Sequence, residues 1–176
     1  KKRLNELIEI KDQKLKKFLN NEFLTSFKYL INRAKVILSD DLYFKNLEKS
    51  ELTLSPSDFG FHNVLKQKNN LIFLDFEYFG WDDPLKLISD FFFHPGHNIY
   101  NHKLFWLKNS VKIYDPNTQK RLPALLPLYG LCWSLILLNE FKEDVWDNRI
   151  KANAKNKYKK KDILKYQVYQ SKTLLL

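Results

Sequence analysis

Over the first 38 positions apolar residues recur at helical spacing. Leu4, Leu7, Ile8, Leu15, Phe18 and Leu19 fall on one face of a first helix, and Phe23, Leu24, Phe27, Leu30, Ile31, Ala34, Ile37 and Leu38 continue the period in a second. Asn20-Asn21 is the expected break, and Asp40-Asp41 opens a connection. The period then shortens. Glu51 to Leu54 reads as a strand running into Ser55-Pro56-Ser57, a turn signal. Val64-Leu65 and Leu71 to Leu74 predict a hairpin joined by a five-residue polar connection, Lys66 to Asn70. Asp83-Pro84 then sets an acidic cap before a proline at the first helical position. The helix it starts carries Leu85, Leu87, Ile88 and Phe91 to Phe93 and ends at His94-Pro95-Gly96-His97. Helices are expected near 102–114 and 122–141, then a lysine-rich linker over 151–161 and a last helix with Ile163, Leu164, Tyr166, Val168 and Tyr169.

This succession predicts an α+β, mostly helical fold in a single domain over residues 1–176. Hydrophobic residues make up 44% of the chain, enough for a substantial core without a disulfide or metal staple. Lone Cys132, between Leu131 and Trp133, is expected to pack as a small hydrophobe and suits a reducing, cytoplasmic compartment. The apolar run from Ala124 to Leu138 is shorter than the roughly 20 residues that span a bilayer, which points to a core helix and no membrane partner. The start on Lys1-Lys2-Arg3 and the absence of methionine suggest a piece of a longer chain.

The net charge of +10 raises the question of nucleic acid. Its distribution answers against it. Residues 40–90 hold ten acids and five lysines, so that segment is −5 and the remainder +15. Acid gathered in one segment suits a divalent cation and repels a phosphate backbone. Only four of the 30 cationic residues are arginines, the type favoured for base and bidentate phosphate recognition.

Inside the acidic segment lies a pattern with chemical content. Asp58 is followed five residues later by Asn63, and Asp75 closes the apolar strand Leu71 to Leu74. Phosphoryl transfer uses such a set: one carboxylate to orient a hydroxyl nucleophile, and an amide and a second carboxylate as oxygen ligands to Mg²⁺. Hairpin pairing brings Asn63 and Asp75 to the same end of the strands. Glu77 either joins the metal shell or pairs with a lysine. His62 reads as a hydrogen-bonded loop residue, and Trp81 as packing for the loop.

Two stretches, Pro56-Ser57-Asp58-Phe59-Gly60-Phe61-His62-Asn63 and Leu74-Asp75-Phe76-Glu77-Tyr78-Phe79-Gly80-Trp81-Asp82-Asp83-Pro84, resemble the aminoglycoside phosphotransferase and choline kinase-like family. Its motifs have the form H-G-D-x-H-x-x-N and I-D-F/W-E-Y followed by G-W-x-D-P. The resemblance implies the C-terminal lobe of a protein-kinase-like fold, with a small β-hairpin carrying the catalytic loop. It implies Asp58 as catalytic residue, Asn63 and Asp75 as metal ligands, Mg²⁺ and ATP as cofactors, and a small-molecule alcohol as acceptor. The chain departs from the pattern where Pro56-Ser57 replaces His-Gly, where Gly60 replaces the second His, and at Leu87, for which Asp90 is the substitute one turn on.

A protein kinase is disfavoured, because Asp83-Pro84 restarts a helix eight residues after Asp75 and leaves no room for a peptide-docking activation loop. With glycine only at 60, 80, 96 and 130, the chain also has no glycine-rich phosphate flap, so an amino-terminal nucleotide lobe is expected outside it. A catalytically silent pseudokinase or scaffold of the same fold is the rival reading. A basic nucleic-acid-binding domain is the third.

Overall fold

The computed structural model describes residues 2–39, 42–43, 45–57, 60–97, 100–152 and 159–175. In chain order the helices are α1 (Lys2–Ile8), α2 (Gln13–Phe18), α3 (Leu24–Ile37), α4 (Pro84–Phe93), α5 (Lys103–Ser110), α6 (Pro116–Ile136), α7 (Glu143–Ala152) and α8 (Lys160–Lys172). Short strands β1 (Thr53–Ser55), β2 (Val64–Gln67), β3 (Asn70–Phe73) and β4 (Gly80–Asp82) stand between α3 and α4. The molecule is therefore α+β and mostly helical, in line with the sequence pattern. It divides into two compact units, Lys1–Asn32 with Gly130–Leu176, and Arg33–Tyr129.

In the first unit the chain breaks at Asp12, earlier than expected. The Asp12 carboxylate accepts from the Leu15 N–H at 2.8 Å and starts α2. Asn20-Asn21 does not interrupt the helix. The turn Leu19–Phe23 widens to a π-helix and runs straight into α3, and the Thr25 hydroxyl donates to the Asn21 carbonyl at 2.9 Å. Leu7, Leu15, Phe18, Leu19 and Phe23 are buried as the apolar period required. Buried Ser134 of α6 and Ser171 of α8 exchange hydrogen bonds, the Ser171 hydroxyl donating to the Ser134 carbonyl at 2.9 Å. Lys142–Glu6 and Lys172–Glu22 ion pairs decorate this unit.

Two expectations fail along α6. The helix begins at Pro116 and runs 21 residues, so by length and composition it is long and apolar enough to cross a membrane. Ala124, Leu131, Trp133 and Leu135 are nevertheless buried, as in a core helix. Cys132 is exposed, since the helical period turns it away from the direction that buries Leu131 and Trp133.

The second unit holds the strands. Leu85, Ile88, Leu107 and Val111 form its centre, with Trp106, Leu122, Leu126 and Tyr129 packed around them. A second cluster joins Ala34 and Leu38 to Ala124. Pro127 has no N–H and leaves the carbonyl four residues back, Pro123, without its helical donor. The Arg33 guanidinium donates to that carbonyl at 2.8 Å. Asp115 caps α6 through the Asn117 and Thr118 N–H groups and the Thr118 hydroxyl, and the hydroxyl bond holds its carboxyl below the usual range.

Candidate functional site

Strand β1 pairs antiparallel with β4, Thr53 opposite Asp82, Leu54 opposite Trp81 and Ser55 opposite Gly80. The pairing sets down the start of the loop that follows β1. Ser55 is buried, and its hydroxyl accepts from the Ser57 N–H at 3.1 Å. Ser57 takes φ 62°, a left-handed conformation uncommon outside glycine, asparagine and aspartate. From the first turn of α4 the Lys86 ammonium donates to the Ser57 hydroxyl at 3.4 Å and to Asp90 at 2.8 Å, with Asp82 at 3.2 Å. Burial pulls this ammonium down, but the two carboxylates outweigh it and its pKa is raised. Lys86 is a fixed cation beside the loop.

Asp58, the expected catalytic residue, lies with Phe59 outside the described residues. At Gly60 it is space rather than φ that opposes a side chain. A Cβ there would come within 2.4 Å of the His62 ring and 3.1 Å of His97 Nε2. A single 3₁₀ turn, Phe61–Asn63, leads into β2. The Phe61 N–H donates to His97 Nε2 at 3.0 Å, and the other ring nitrogen of His97 lies 2.8 Å from the Phe91 carbonyl. His97 is 2% exposed. Its ring sits against Phe61 and Phe91, while His62 stacks on His94 with centroids 4.5 Å apart. The His94 to His97 segment is the helix-ending turn that the sequence suggests, with Gly96 N–H donating to His94 Nδ1.

Hairpin register brings Asn63 and Asp75 to one end. Val64 pairs with Phe73, and one step further out the Leu74 N–H donates to the Asn63 carbonyl at 2.8 Å. Asp75 is the next residue. Strand alternation would send its side chain to the face opposite Asn63, but φ of 60° at Asp75 ends the extended run and the alternation with it. Left-handed non-glycine residues cluster at functional sites, where surrounding structure holds them against a cost of about 1–3 kcal/mol. The hairpin turn is tighter than expected. Gln67 pairs with Asn70, leaving only Lys68-Asn69 as the connection, with Lys68 at φ 55°.

Glu77 is exposed, and Trp81 is 66% exposed, so it does not pack the loop within this unit. Apolar side chains cover much of the hairpin and the turn after it, including Leu65, Leu71, Phe76 and Phe79, all about half exposed. Asp83 performs three tasks: it caps α4 through the Leu85 N–H at 2.9 Å, pairs with Arg121, and stands 3.5 Å from the Tyr129 hydroxyl. Burial and then the Asp83 charge push the Tyr129 phenol far up, so it stays protonated.

Lys86 and His97 escaped the sequence reading as loop anchors. Lys86 carried a signal, four residues from an acid on either side, whereas nothing in the pattern marks His97. Among the described residues no group of three or more His, Cys, Asp or Glu side chains converges as a metal site. No family model, curated protein or solved structure matches the chain.

Proposed function

We propose that the chain is the catalytic C-terminal lobe of a small-molecule kinase of the aminoglycoside phosphotransferase type, transferring the ATP γ-phosphate to an alcohol in the cytoplasm. The observation that carries this reading is the hairpin register. It delivers Asn63 and Asp75, two oxygen donors twelve residues apart in sequence, to one strand end, with Asp75 in a left-handed conformation. That donor set suits a hard cation, which binds through carboxylate and amide oxygens. Bound there, Mg²⁺ supplies charge neutralisation for the transferred phosphoryl group. Asp58 orients the acceptor hydroxyl and receives its proton. Asn63 and Asp75 hold the cation, and Lys86 keeps the loop's leading edge in place.

Mn²⁺ is the direct probe. Added to ¹⁵N-labelled protein without nucleotide, it is expected to broaden Asn63 and Asp75 first. Broadening spread evenly over the surface acids would defeat the assignment.

The nucleic-acid alternative has its own test. Solvated lysines give duplex DNA only weak binding, without sequence preference and strongly weakened by salt. Tight binding to one sequence at physiological salt would replace the kinase reading.

A further inference from the structure

We propose that the first unit binds an amphipathic anion, a molecule with a hydrocarbon body and one carboxylate or phosphate head, in the cavity lined by α2, α8 and Phe141. The cavity holds about 560 Å³. That lies within the range of roughly 300–1,000 Å³ usual for small-molecule sites. All its lining residues belong to Lys1–Asn32 or Gly130–Leu176, whereas Asn63 and Asp75 belong to the second unit. The inference therefore does not rest on the phosphotransferase reading.

Two kinds of side chain give the cavity its character. Phe141, Leu164 and Val168 supply an apolar floor, with Leu164 and Val168 one turn apart on the same face of α8. Exposed Lys160, Lys161 and Lys165 from α8 and exposed Lys14 from α2 supply a cationic rim. Asp12 is the carboxylate among the lining residues, and it is already engaged with the Leu15 N–H at 2.8 Å as the α2 cap. Among the described residues none of the four lysines forms an ion pair, while Lys142 and Lys172 of the same unit pair with Glu6 and Glu22. Lys160 stands over the Trp146 ring, 5.0 Å from its centroid, a contact that leaves its charge in place.

Helix α8 itself disfavours this placement. Lys161 and Lys165 are like charges four residues apart, which repel on a helix face. Lys160 and Lys161 occupy the first turn, at the positive pole of the helix dipole, and the N-cap Lys159 offers no side-chain cap. Asp162, the acid of that turn, lines a different hollow with Tyr166 and Gln170. Positive charge is thus gathered around an apolar floor without local carboxylates to neutralise it. An inorganic anion would use the rim and leave the floor in water, and a neutral hydrocarbon would do the reverse. A molecule with both parts uses both.

Octyl phosphate and decanoate, each kept below its micelle-forming concentration, are the probes, and octanol and inorganic phosphate are their separate halves. Titrated into ¹⁵N-labelled protein, both probes are expected to give saturable shifts at the Phe141, Leu164, Lys165 and Val168 amides. Each half alone should bind at least about tenfold more weakly. The double variant Lys161→Gln/Lys165→Gln keeps long side chains but removes two charges. It is expected to weaken octyl phosphate about tenfold and to flatten the salt dependence of binding. Val168→Glu puts a like charge on the floor and should abolish binding. Should Val168→Glu fail to fold, the double variant, which changes only exposed side chains, still decides the matter. Phosphatidylglycerol vesicles distinguish the sources of the head group. Vesicle binding that octyl phosphate displaces assigns the site to a lipid, and binding of the free probes without vesicle binding assigns it to a soluble amphiphile. Shifts centred away from this cavity, affinity unchanged in the double variant, or inorganic phosphate bound as tightly as octyl phosphate would overturn the proposal. So would vesicle binding indifferent to octyl phosphate, which would reduce the rim to ordinary surface lysines.

Discussion

Replacing Asp83 by alanine is expected to destabilise the second unit by about 3–5 kcal/mol, the range for stranding one partner of a buried ion pair. The side chains of Arg121 and Asp83 are only 10% and 14% exposed, so the guanidinium cannot turn to solvent once its carboxylate is gone. The same substitution removes the α4 cap, itself worth about 1 kcal/mol. The two effects share one side chain and do not simply add. Asp83→Asn separates them, since asparagine still caps through its amide oxygen but brings no charge to Arg121. Arg121→Met in the Asp83→Asn background should recover much of the loss, because a charge with no partner is worse than no charge. Urea unfolding read from amide signals of residues 85–93 gives the numbers. A loss below about 1 kcal/mol for Asp83→Ala would place Arg121 in effective contact with water and reduce the pair to a surface one.

Asp83 also shows why part of this architecture could be read directly. An acid before proline at the first helical position is a local signal, because the cap bond joins residues two apart. The same signal stands at Asp115-Pro116, and α6 starts there, six residues before the apolar period suggests a helix. Helix α7 has little apolar period to read. Its evidence lies in charge, with Glu143 and Asp144 in the first turn and Arg149 and Lys151 in the last, matching the helix dipole. Pairing between distant residues was not legible. The β1–β4 ladder joins residues 53–55 to 80–82, and no short-range pattern specifies that choice. The hairpin turn was misjudged because Lys68 takes a left-handed φ that usually announces itself through glycine or asparagine.

At the site, residue types and spacing were visible, while the supports were not. Asn63 and Asp75 follow from strand ends and register. The left-handed turn at Asp75, the Lys86 contact to Ser57 and the His97 bond to Phe61 arise from tertiary packing around α4. Cys132 and Trp81 err in the same way. Cys132 lies in an apolar run and Trp81 follows an aromatic one, and each faces outward in the described structure because the helix or strand period turns it there.

The two acids of the proposed phosphotransferase are expected to fail differently when neutralised in the full-length protein. Asp58→Asn keeps the side-chain shape but removes the group that orients and deprotonates the acceptor hydroxyl. Turnover should fall by about 10²–10⁴-fold, the usual contribution of general acid–base catalysis, with ATP·Mg²⁺ still bound. Asp75→Asn removes charge from the metal site, so metal-dependent nucleotide affinity should weaken as well. Asparagine is the right replacement at both positions, and at Asp75 for a conformational reason. That residue holds φ 60°, which asparagine adopts readily and a β-branched or bulky side chain does not. A stability loss in Asp75→Asn should therefore stay small, and any change in nucleotide binding reports on charge. Phosphoryl transfer to amino alcohols, aminoglycosides, sugars and nucleosides would be followed beside nucleotide affinity. If wild-type protein binds no ATP·Mg²⁺ and both variants behave identically to it, the scaffold reading replaces the enzyme, because a silent module has no use for either charge.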